Sequence, residues 1–141
     1  MINLYKHPGT PVTGFIISMI CQFFGGFDAL MKSLIMFMVI DFVTGFVSAA
    51  FFKSSDKTVS GKLESRAWFK GLIKKGCSLI LIGVGVHLDA LTGTGTITRD
   101  AVVILFIINE LISILENMGK MGIKLPEPIM NALGVLKNVK K

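Results

Sequence analysis

Residues 101–118 read AVVILFIINELISILENM, and this stretch decides the fold. Eighteen residues in an α-helix rise roughly 27 Å, close to the ~30 Å hydrocarbon core of a bilayer. Eleven of them are Val, Ile, Leu or Phe, without the strict alternation that a half-buried strand would show. Two further runs have the same character, 30–52 with 23 residues and 72–91 with 20, about 35 and 30 Å long as helices. The sequence therefore predicts an all-α integral membrane protein with three transmembrane helices, at about 30–52, 72–91 and 101–118.

Composition points the same way. The chain has 141 residues, 52% apolar and 17% charged, with a mean hydropathy of +0.69, against about a quarter charged in soluble domains. Such apolarity excludes disorder as a reading of the whole chain. Its arrangement in long blocks argues against a large soluble enzyme core. Residues 1–141 are expected to form one membrane domain. Within it, 12–27 would reach only about 24 Å as a helix and carries Gln22 and Gly25-Gly26; it is expected as an N-terminal interfacial or re-entrant segment. After Gly119 and Gly122, Pro126-Glu127-Pro128 is a helix start. Ile129, Met130, Leu133 and Leu136 follow at helical spacing, giving a short C-terminal amphipathic helix on an anionic leaflet or a solvated basic tail.

Charge sets the orientation, because Lys and Arg concentrate in cytoplasmic connections. Residues 53–75 hold seven Lys or Arg (Lys62, Arg66, Lys70, Lys74 and Lys75 among them) against Asp56 and Glu64, a net of +5. Residues 89–100 hold Arg99 against Asp89 and Asp100, a net of −1. The tail from Lys120 holds five Lys, including Lys137, Lys140 and Lys141, against Glu127, a net of +4. This alternation puts a basic connection (53–71) and a basic tail (119–141) in the cytoplasm. Lys32, Lys74 and Lys75 lie near span ends, where long side chains can snorkel to the headgroups. Cys21 and Cys77 are too few for a disulfide framework and are expected as buried small apolar groups. Lys6 alone precedes the first apolar run and no small-residue cleavage site follows, so the chain is expected to stay whole.

The informative residues are the polar ones inside the spans. About twelve strong hydrophobes in the first span supply roughly −5 kcal/mol of insertion energy, against about +3 for the central Asp41. Asn109 and Glu110 at the centre of the third span erase most of a similar gain. At 100° per residue, Asn109, Glu110, Ser113, Glu116 and Asn117 fall within an arc of roughly 120°. On the first span Asp41, Thr44, Gly45 and Ser48 share a face. On the second, Gly76, Gly83 and His87 line up and would admit close helix packing. These polar and small faces are expected to meet in homo-oligomers and line an aqueous lesion, or else to pack in a static bundle with Asp41 and Glu110 protonated or hydrogen-bonded.

Other chemistry is sparse in the sequence. His87 has no second ligand at metal spacing and reads as a packed or interfacial side chain. GVGVHL and TGTGT lack the full dinucleotide fingerprint and a Walker lysine. Trp68, beside Lys70, reads as an interface anchor. No catalytic residue, metal, cofactor or nucleic-acid partner is expected.

The polar positions, taken in order, resemble the phage-lysis and toxin-secretion holin family. The resemblance runs through Asp41-Phe42-Val43-Thr44-Gly45, Gly71 with Lys74-Lys75, and Asp89. It continues through Asn109-Glu110, Ser113 and Glu116-Asn117 to Gly122 and Pro126. It covers about 28–137, and residues 1–27 carry little of it. The resemblance implies a small non-enzymatic protein of the bacterial (host) cytoplasmic membrane. Such a protein accumulates harmlessly and then forms homo-oligomeric lesions at a programmed time. Through these an endolysin reaches the cell wall, or a large toxin leaves, with no direct contact required; the direct partners are membrane lipids and further copies of the chain. The residues alone also admit a small ion channel or transporter subunit, with Asp41, Glu110 and His87 as ion sites, or an antiholin-like regulator.

Overall fold

The computed structural model describes residues 10–52 and 65–139. Among them every regular element is an α-helix: α1 (Thr10–Phe23), α2 (Ala29–Phe51), α3 (Ser65–Thr92), α4 (Ile97–Lys120) and α5 (Glu127–Val139). Three helices are long and apolar enough to cross a membrane: α2, α3 from Trp68 onward, and α4. They match the three expected spans. α3 starts before the apolar run because a helix needs only its backbone ladder, so the Arg66–Lys70 turn continues it. α1 has 14 residues, about 21 Å, too short to cross alone. Lys62 and the rest of 53–64 lie outside the described residues, as do Lys140 and Lys141.

α4 packs against both α2 and α3. The apolar core is Met31, Leu34 and Met38 of α2 with Ile82 of α3 and Val103 of α4, backed by Phe24, Leu79 and Phe106. Inward positions recur at sevens: Leu34, Asp41 and Ser48 on α2, Ile82 and Asp89 on α3, Val103, Glu110 and Asn117 on α4. That period is the one at which helices interlock side by side. The outward faces are as apolar as the core, with Met36, Val39 and Val43 on α2, Ile80 and Leu81 on α3, and Ile104 and Leu105 on α4 all exposed. Such a surface suits lipid. Cys77 belongs to it: the thiol is exposed and Cys21 is half-buried, not fully buried as expected, because a lipid-facing position accepts a small apolar group as readily as a core does.

One end of the bundle is fastened by polar groups. Asp28 caps α2, its Oδ1 accepting the Met31 N–H at 2.9 Å, which suits a carboxylate at a helix N-terminus. At the 93–96 turn, Gly93 and Gly95 take positive φ (70° and 72°), and the Gly93 N–H donates to the Asp89 carbonyl, closing α3. Thr96 makes no side-chain cap for α4. Asp89 does so from the preceding helix, accepting the Thr98 and Arg99 N–H groups at 2.9 and 2.8 Å. Arg99, 1% exposed, donates to the Phe24 carbonyl (3.1 Å), to both oxygens of Asp28 (2.5 and 3.1 Å) and to Asp100 (2.7 Å). The turn between α1 and α2 is thereby pinned to the start of α4.

The glycines divide by position. A Cβ at Gly85 would stand 3.1 Å from the Arg99 Cα, so Gly85 lets the α3 and α4 backbones meet. Gly83 receives the Phe23 ring of α1 rather than another span, and Gly76 has nothing within 4 Å of such a Cβ. Gly85→Leu should therefore cost about 1–3 kcal/mol through overpacking, whereas Gly76→Leu should leave stability unchanged or slightly higher. Denaturation in detergent micelles with added SDS, followed by circular dichroism, distinguishes them; equal losses would contradict the assignment.

Candidate functional site

The polar residues of the three spans converge on one cluster. Lys75 stands two to three turns into α3, and its Nζ lies 2.9 Å from Asp41 Oδ2 and pairs with Glu110 Oε2. Asn117 Nδ2 donates to Asp41 Oδ1 at 3.1 Å and to Thr44 Oγ1 at 3.2 Å. Thr44 in turn donates to the Ile40 carbonyl at 2.9 Å. Asp41 and Glu110 are each 5% exposed and Asn117 8%. Two carboxylates, an ammonium and an amide thus tie α2, α3 and α4 together inside the bundle.

Local sequence makes room for this arrangement. A Cβ at Gly45 would lie 3.4 Å from Asn117 Nδ2 and 3.5 Å from the Trp68 ring, so the glycine brings both neighbours in. Trp68 packs edge-on against Phe42 and Phe46, with ring centroids 5.1 and 5.8 Å apart, and closes α3 onto α2. Ser48 is also buried, and among the described residues its Oγ is the buried side-chain polar atom without a hydrogen-bond partner.

Lys75 is the residue whose place differs most from its expected one at a span end. Its ammonium turns inward because two carboxylates in a poorly polarisable interior attract a cation far more strongly than they would in water. Lys70, Lys74 and Arg66 are exposed, and Lys137 belongs to α5. The polar arc of α4 divides in two. Glu110 and Asn117, seven residues apart, face inward, while Asn109 is exposed and Ser113 and Glu116 are half-buried. His87 is exposed, donating Nδ1–H to the Gly83 carbonyl at 2.9 Å, with the Phe23 ring nearby. Three members of the polar network escaped the sequence reading as partners: Lys75, Arg99 and Asp89. The seven-residue line Lys75, Ile82, Asp89 was the signal for two of them.

Removing the cation alone should be severe. Lys75→Met leaves two buried carboxylates facing each other and should cost about 3–5 kcal/mol. The combined Asp41→Leu, Lys75→Met, Glu110→Leu variant removes every charge and should regain most of that loss in the same denaturation assay. At the fastened end, the Arg99 guanidinium, helped by the Met31 N–H, holds the Asp28 carboxyl below its ordinary value against the opposing effect of burial. A folded value below the unfolded one stabilises at neutral pH, and the gain disappears as pH falls through the folded value. The stability gap between the wild type and Asp28→Asn should be full at pH 7 and should close below about pH 4; a gap independent of pH would rule out this linkage.

Comparison with known proteins bears on this geometry. A family model described as the bacteriophage holin family matches residues 18–138. A protein of Bacillus phage phi105 named a probable holin is 33% identical over 71% of this chain and 68% of its own length. An uncharacterised protein of Listeria monocytogenes is 40% identical over 78% of this chain and 73% of its own length. A 14.9 kDa protein encoded 3′ of nagH in Clostridium perfringens is 35% identical over 83% of each chain. No solved structure matches. With three membrane-length helices and a family match over most of its length, the chain belongs to the bacteriophage holin family.

Proposed function

We propose that this multi-pass membrane protein is a holin that accumulates in the bacterial cytoplasmic membrane and opens homo-oligomeric lesions, through which an endolysin reaches the cell wall or a large toxin leaves. The observation that carries the reading is the buried cluster of Asp41, Lys75, Glu110 and Asn117. In hydrocarbon these groups must pair with one another, since an unpaired charge there is costly. In a water-filled lesion the same groups are hydrated and need no partner within the protomer. Each protomer is then stable closed when dilute, and at high density it exchanges internal pairs for contacts with copies and water. The basic connection and basic tail face the cytoplasm in this reading, with the 93–96 turn on the far side.

A small channel or transporter subunit is the alternative that the same cluster supports, with Asp41 and Glu110 as ion sites. Induced expression in a bacterium, following culture density and membrane potential with and without an endolysin, separates the two. The holin gives a lag, abrupt depolarisation, and rapid clearing only with endolysin. A channel gives prompt, graded conductance and continued growth. Asp41→Leu and Glu110→Leu should abolish or retime lysis at equal membrane levels. Unchanged timing in both variants would remove the cluster from the mechanism.

A further inference from the structure

Arg66, Lys70 and Lys74 stand at i, i+4 and i+8 of α3 and form one stripe on its surface. All three are exposed, and among the described residues no carboxylate pairs with any of them. Like charges four residues apart repel one another, so the stripe favours an anion laid across it. Lys74 lies six residues past Trp68, where the membrane-length part of α3 begins, about 9 Å further along the helix. A bare ammonium facing hydrocarbon at that depth is costly. Lys75 avoids the cost by turning inward to Asp41 and Glu110, whereas Lys74, on the outer face, has to reach back along the helix. Helical side chains lean towards the N-terminus, which carries its ammonium towards Lys70 and Arg66. Beyond the stripe the same face continues as Ile73, Cys77, Leu81, Val84 and Leu88, all exposed. From Cys77 to Leu88 this apolar lane runs about 16 Å, roughly half the thickness of a bilayer core.

We propose that this face of α3 binds an anionic membrane phospholipid, its phosphate held by Arg66, Lys70 and Lys74 and one acyl chain lying along the lane to Leu88. Charge and shape select this ligand together. Ammonium and guanidinium groups make short, charge-assisted hydrogen bonds to phosphate oxygens, and the arginine fork can engage two of them at once. A zwitterionic headgroup brings a cation of its own, which the stripe repels. Free phosphate would meet the cations and leave the apolar lane unused. The proposal requires only that the chain sits in a membrane, and it holds whether or not the chain opens lesions.

The test is fluorescence quenching by brominated lipids. Trp68 is the one tryptophan of the chain, so Trp68→Phe leaves a background in which a reporter can be placed at will. With Ile73→Trp the indole sits beside the stripe; with Val43→Trp it sits on the exposed face of α2. Each full-length variant is reconstituted in vesicles that mix phosphatidylglycerol with phosphatidylcholine, with first one lipid and then the other brominated. At residue 73 phosphatidylglycerol should be preferred about fivefold or more, since each cation is worth up to about fivefold near an anionic surface. At residue 43 the two lipids should quench almost equally. Arg66→Gln, Lys70→Gln and Lys74→Gln should each reduce the preference at residue 73, and all three together should bring it to the value at residue 43. Lys70→Arg with Lys74→Arg keeps the charge and should keep the preference, and 1 M NaCl should weaken it. Equal preference at the two positions, quenching indifferent to the headgroup, or a preference that survives the triple substitution would overturn the proposal.

Discussion

A charge inside hydrocarbon has to be answered by an opposite charge or by water, and the position of Lys75 between Asp41 and Glu110 answers it within one protomer. Burying an ion costs several kcal/mol even after relaxation, and pairing repays it only when geometry is good and the remaining lone pairs are engaged. Here Asn117 engages the second oxygen of Asp41. Because the partners come from three different helices, their meeting fixes how far each helix is rotated and how far it has slid. An apolar seam of Leu34, Ile82 and Val103 would tolerate a shift of one turn far better than the ion pairs would.

The remaining contacts follow from that register. With α2 and α4 running in the same direction, Asp28 and the first turn of α4 arrive at one end of the bundle. There Arg99 joins the α1–α2 turn to α4, and Asp89 joins α3 to α4. Towards the other end, α2 and α3 meet through aromatic rings, Trp68 against Phe42 and Phe46. Directional hydrogen bonds lock one end, while weakly directional ring packing adjoins the basic connection. The bundle is thus specified in its middle and at one end, which leaves the other end the easier to rearrange.

Much of this was legible in the sequence because lipid imposes simple rules. Length and apolarity mark 30–52, 72–91 and 101–118 as spans, and Asp41 and Glu110 stand out inside them by chemistry alone. The partners were harder to read. Lys75 sits close enough to a span end to look like a snorkelling lysine, and only three-dimensional proximity to two carboxylates turns it inward. A 100° wheel places Asn109 and Glu110 on the same arc. The packed helix separates them, because a seven-residue seam admits Glu110 and Asn117 and leaves Asn109 at its margin. Gly76 and Gly85 look equivalent in sequence, and only the crossing point of α3 and α4 distinguishes them.

The order of the helices follows from their individual fitness in lipid. α2 carries one central carboxylate among about twelve strong hydrophobes and retains a margin of roughly 2 kcal/mol alone. α4 carries Glu110, Asn109 and Asn117 against eleven, and its margin is close to zero. A helix that lipid barely tolerates gains most by being covered on two sides, and α4 is the helix that packs against both α2 and α3. Two neighbours account for the side of α4 that carries Glu110 and Asn117, while the exposed Asn109 stays on its outer flank. The helix with the smallest margin is thus the one whose most polar side, Glu110 and Asn117, is buried by its neighbours.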